Sequence, residues 1–188
     1  MKKDKIIDNK LRKFIKDFQY YLPIFYILLV FIGMLFSYNK YKEFGINIFQ
    51  YSEISDFLIT PFRDLIILAV TIFTAFLGLA IYKLNEYIKR FPRFYNSKLN
   101  FGMMKSNPIV ATVILIVIYL LIFSNTYGKY NKKHFSENSK TVLLELVTND
   151  IKSGKLIGKN NGYIFLMTGN NVKIVPIGTS IKEISIKK

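Results

Sequence analysis

Three stretches of the chain carry no charged residue: "YYLPIFYILLVFIGMLFSY" at 20–38, "LIILAVTIFTAFLGLAIY" at 65–82 and "SNPIVATVILIVIYLLIFSNTYG" at 106–128. Each is about as long as the ~20 helical residues that a bilayer core requires. Core helices of soluble proteins show a polar face every three or four positions, and these windows hardly do. The pattern predicts three transmembrane helices. A cleaved leader is not expected, because the first apolar run follows a polar stretch and ends in "FSYNKY" without a small-x-small site.

The flanks have other periods. In residues 1–19, Ile7, Leu11, Phe14, Ile15 and Phe18 recur at helical spacing among Lys and Asp, which predicts a basic amphipathic helix leading into the first span. Residues 39–64 are rich in aromatics and should form a short interfacial helix, with Ser52 or Ser55 as cap and Pro61 at the entry to the second span. Asn107 and Pro108 read as the cap and first turn of the third helix. After a polar linker at 129–140, with His134 as an exposed loop residue, the tail at 141–188 alternates apolar and polar positions between short turns. Asn161-Gly162 predicts a type I′ hairpin, and Gly169-Asn170-Asn171 a second turn. The ending "PIGTS" then "IKEISIK" resembles that of small SH3-like or Sm-like barrels. The expected fold is therefore a basic N-terminal helix, a three-helix transmembrane domain over 20–128, and a small all-β domain. A core that small is marginal, so packing against neighbouring subunits is expected.

Composition removes whole classes of chemistry. There is no Cys and one His, which excludes disulfides, thiolate metal sites and paired-His zinc sites. No phosphate-binding glycine loop, nucleophile elbow or metalloprotease motif occurs, so neither an enzyme nor a cofactor is expected. The chain holds 27 basic and 12 acidic residues, a net charge of +15, which favours anionic partners such as lipid headgroups or nucleotides. The segment 83–105 has six basic residues against one acidic, interleaved with aromatics, and offers Lys89, Arg90, Arg93 and Lys98 as candidate anion contacts. It suits a cytoplasmic juxtamembrane segment, and the same composition could also stack bases and contact phosphates. The first connection has the fewest basic residues, which places it outside together with the tail, and the N-terminus inside.

Within the second span Asp64, Thr71, Gly78 and Asn85 recur every seven residues. Seven steps turn about 700°, so these residues share one helix face. Thr74 and Gly78 form a small-x-x-x-small pair. The line serves either as the seam where the helices meet or, with several subunits around an axis, as a pore wall of Asp64, Thr71, Thr74, Gly78 and Asn85.

The combination of "KLRKFIKDFQYYLP", this polar line and "NNGYIFLMTGNNVKIVPIG" resembles the small membrane effectors of bacterial anti-phage defence, in particular the Hailong-type effector. That resemblance implies a homo-oligomeric channel in the bacterial inner membrane. It implies control by short single-stranded DNA or a cyclic nucleotide signal that a partner enzyme makes. It carries over no ligand-contact residue. The alternative reading is a membrane-anchored binding or scaffold module with no pore.

Overall fold

A computed structural model describes residues 2–88, 90 and 108–187. Helix α1 (Lys2–Lys42) joins the expected amphipathic segment and the first span into one helix, with Pro23 inside it. A 3-10 turn at Ile48–Gln50 leads to α2 (Ile54–Arg63), then α3 (Leu65–Ile88), α4 (Pro108–Lys133) and the one-turn α5 (Phe135–Asn138). The tail forms β1 (Thr141–Leu146), β2 (Ile151–Lys159), β3 (Tyr163–Thr168), β4 (Asn171–Pro176), a helical turn α6 (Ile177–Ser180) and β5 (Ile181–Lys187). Much of the expected 129–140 linker is thus helical. His134 sits between α4 and α5, half-buried, its ring 4.3 Å from that of Tyr130.

Among the described residues two helices are long and apolar enough to cross a membrane, Leu22–Lys42 of α1 and Val110–Lys133 of α4. The third expected span differs: α2 and the Leu65–Ile81 part of α3 pass the same test only as a pair bent by 94°. The break falls at Asp64, three residues beyond Pro61, because Asp64 takes an extended backbone and its side chain starts a new helix. Pro61 stays inside α2. Its missing N–H leaves the Phe57 carbonyl without its helical donor, and that carbonyl lies on Gly33 of α1, where any Cβ would overlap it. Glycine at 33 is therefore what lets α1 and α2 touch backbone to backbone. Gly128 of α4 plays the same part against the Asn39 carbonyl of α1. There the Asn39 amide donates to Ser124 Oγ at 3.0 Å. Around these contacts Ile32, Phe36, Ile67, Val70, Leu120 and Tyr127 form the core of the bundle.

Neither Ser52 nor Ser55 caps α2. Glu53 holds that position, and its N–H donates to Asp56 Oδ2 at 3.1 Å. Pro108 does open α4, while Asn107 lies outside the described residues.

The five strands form one antiparallel sheet in the order β4-β3-β2-β1-β5. It is an open sheet with β4 and β5 as edges, not the closed barrel expected. The inner strand β3 explains how burial is achieved without closure. Side chains alternate across a strand, so Ile164 and Leu166 face Val142, Leu144, Leu146 and Val175, and Phe165 points the other way. Phe165 and Ile157 pack on Tyr41, Phe44, Ile48 and Phe57 at the end of α1 and in the connection to α2. The helices thus cover the second face of the sheet, and Ile164, Phe165 and Leu166 are all buried.

The turns also depart from expectation. The β2–β3 connection is not type I′, since neither Asn161 nor Gly162 has a positive φ among the described backbone angles. Asn160 makes this turn with its side chain, Oδ1 accepting from Gly162 N at 3.1 Å and from Tyr163 N at 2.7 Å. Between β3 and β4, Gly169 has φ +59° in a two-residue loop closed by the Thr168–Asn171 pair. A glycine first in such a loop is the requirement of a type II′ turn.

Candidate functional site

The last turn of α1, α2, the start of α3, α4 and the end of β2 converge on a cavity of about 200 Å³. Its polar walls come from segments far apart in the chain. Lys40 and Tyr41 stand on α1, Asp56 and Arg63 on α2, Asp64 at the bend, Tyr127 on α4, and Gly158, Lys159 and Asn160 at the end of β2.

Both carboxylates accept hydrogen bonds from the chain itself. Asp56, 5% exposed, accepts from Glu53 N through Oδ2 and from Asn161 N through Oδ1, each at 3.1 Å, which fastens α2 to the β2–β3 turn. Asn160 strengthens that join, its amide donating to the Tyr51 carbonyl at 2.6 Å and to Ser52 Oγ at 3.0 Å. Asp64 accepts from Ile66 N at 2.9 Å through Oδ1, capping α3, and from the Tyr127 hydroxyl at 2.5 Å through Oδ2. A carboxylate at a helix start also meets the positive end of the helix dipole.

The basic groups are arranged otherwise. Among the described residues Lys40, Arg63 and Lys159 form no ion pair, whereas Lys182 on the sheet edge does, with Glu145 at 2.6 Å. That contact holds the Lys182 ammonium above its ordinary pKa. Lys40 has an aromatic neighbour instead, its ammonium 5.7 Å from the centre of the Tyr41 ring. Tyr41 is itself 8% exposed, and its hydroxyl has no hydrogen-bond partner among the described residues. The hydroxyl lies against Gly158, where a Cβ would overlap it. The arrangement therefore presents donors and positive charge to the cavity, while the carboxylates on its walls already accept hydrogen bonds from the chain. Among the described residues no group of three or more His, Cys, Asp or Glu side chains is placed to hold a metal ion.

Of the residues singled out in the second span, only Asp64 reaches this cavity. Thr71 is half-buried and donates to the Ile67 carbonyl at 2.8 Å. Thr74, 2% exposed, donates to the Val70 carbonyl at 2.7 Å. Gly78 faces α4, where an added Cβ would come within 3.7 Å of Ile116 Cδ1. Asn85 lies on α3, and its side chain is outside the description. Arg90 is exposed and follows α3, its N–H bonded to the Tyr87 carbonyl at 3.1 Å. Lys89, Arg93 and Lys98 lie outside the described residues.

Sequence reasoning missed Lys40, Tyr41, Tyr127 and Lys159. A lysine beside the polar end of an apolar run is ordinary flanking charge, and nothing local marks Lys159 as its neighbour. No known protein family, no curated protein and no solved structure matches the chain.

Proposed function

We propose that the chain is a multi-pass membrane protein that fixes a small SH3-like β module to the end of its helix bundle and binds an anionic ligand where the two meet. The observation that carries this is the core shared by Tyr41, Phe44, Phe57, Ile157 and Phe165. It makes the sheet and the helix ends one packed body rather than a tethered tail. The strand order, with a helical turn before a last strand that returns to β1, supports an SH3-like module opened between β4 and β5.

The end of α1 meets the segment after α4, as in the Phe44–Phe135 ring contact at 4.9 Å. If both helices cross the bilayer, their C-terminal ends share a side, and the chain between them crosses once more. The apolar α3 is the element for that crossing. Helix α2 then lies near the interface, with Phe62 and the adjoining Leu65, 83% exposed, turned to lipid.

The chain contains no cysteine. Single cysteines at Ser52 and Ser153, in reconstituted vesicles, should therefore label from the same side with an impermeant reagent. Labelling from opposite sides would sink the reading.

A second reading is an oligomeric pore in the bacterial inner membrane, acting as a defence effector under nucleotide or oligonucleotide control. One observation favours the oligomer. In the β1–β5 register Ile184 and Ile186 sit opposite the buried Leu144 and Val142, yet they are 43% and 57% exposed, an apolar edge that another copy would cover. Ion flux from vesicles that Thr71→Leu abolishes, in a particle of unchanged size, would select the pore; absence of flux would leave the binding module.

A further inference from the structure

We infer that the cavity binds one phosphate group, from a lipid headgroup or a free phosphate compound, held by Lys40, Arg63, Lys159 and the Tyr41 hydroxyl. This deepens the reading above by naming the ligand's chemistry. The four groups come from α1, the end of α2 and the end of β2, so the fold brings them together for a reason that no single element supplies. All four are donors, and none has an acceptor in an ion pair or hydrogen bond among the described residues. A guanidinium fork and two ammonium groups match the several acceptor oxygens of a phosphate.

The carboxylates on the walls set the scale of the charge. Asp56 and Asp64 are held by chain donors, and with three cations facing them the lining is net positive by one. That balance suits a single phosphate rather than a polyanion, and so does the volume of about 200 Å³. Gly158 contributes by absence: a side chain there would displace the Tyr41 hydroxyl from the wall. The exposed apolar residues Phe62 and Leu65 adjoin Arg63 and Asp64, which puts the cavity within reach of headgroups as well as of water.

The test uses the full chain in detergent and follows its melting temperature during titration with inorganic phosphate, phosphatidic acid or, as a phosphate-free control, diacylglycerol. A ligand that binds only the folded state raises that temperature with concentration. Phosphatidic acid or phosphate should raise it and diacylglycerol should not. Apparent affinity should fall at least about tenfold in Arg63→Gln and in Lys159→Gln, and about tenfold in Tyr41→Phe, since each removes a hydrogen bond to a charged group. Lys152→Gln and Lys173→Gln, on the strands away from the cavity, should respond as the parent does. A response to the lipid alone identifies a headgroup, and a response to phosphate alone a soluble ligand. A response to neither probe, or cavity variants that respond like the two surface controls, overturns the inference. The same-side labelling of Ser52 and Ser153 would survive that failure, so the two proposals fall separately.

Discussion

The acidic and the basic side chains of one cavity are used in opposite ways. Asp56 and Asp64 each accept two or more hydrogen bonds from the chain, and by doing so they join α2 to the sheet and start α3 beside α4. Lys40, Arg63 and Lys159 share the same walls and form no ion pair or hydrogen bond among the described residues. A carboxylate is an acceptor, and helix starts and tight turns leave backbone N–H groups without partners, so the acids are drawn into the structure. Ammonium and guanidinium groups are donors only, and in a chain with 27 basic and 12 acidic residues most of them have no carboxylate to meet. The acids should thus matter for stability, and the cations for whatever anion approaches.

Substitutions that separate those roles test the contrast. Asp56→Ala should have the largest effect, about 3 kcal/mol of lost stability, because it removes the buried carboxylate that accepts from both Glu53 N and Asn161 N and so joins α2 to the β2–β3 turn. Thermal or chemical unfolding in detergent measures it, and a loss below about 1 kcal/mol would deny Asp56 its role. Asp64→Ala should cost about 2 kcal/mol, from a lost helix cap and a stranded Tyr127 hydroxyl. Tyr127→Phe should cost about 1 kcal/mol, since it removes a single hydrogen bond and leaves the cap in place. Arg63→Gln and Lys159→Gln should change stability by less than about 0.5 kcal/mol, as exposed side chains without partners do. If these two unfold the protein as readily as Asp56→Ala, they hold the structure together and the contrast is false.

How far the sequence could be read differs by element. The apolar windows located α1 and α4 because the criterion is a length of unbroken apolar helix, and neighbours do not alter it. The strands were legible for a similar reason, as alternation and turn residues act over a few positions. The hairpin at Asn161-Gly162 was placed correctly and typed wrongly. Asn-Gly signals positive φ, but the preceding Asn160 closes the turn through its own side chain, which it can do because Tyr51 and Ser52 hold its amide from another segment. Pro61 was read as the entry to the second span, whereas it lies inside α2 and the new helix starts at Leu65. Proline weakens a helix locally, and here the carbonyl it frees finds room on Gly33, so α2 continues past it. The heptad line was read as one face, and the structure sets its first member, Asp64, outside α3 in an extended backbone. Which surface those residues meet is a tertiary matter, and Gly78 meets Ile116 of α4.

By itself the sequence determined the elements: apolar helices of bilayer length, a basic excess, and a short β tail with turns in the right places. Those properties depend on spacing along the chain and on solvent, and both are local. The tertiary structure alone decided that the sheet lies on the end of α1, that two acids are consumed as acceptors, and that Lys40, Arg63 and Lys159 are left facing one cavity with Tyr41. That outcome depends on which donors reach which acceptors once Phe165 has seated on Tyr41, their rings 5.0 Å apart, and a contact between residues so distant in the chain has no period to announce it.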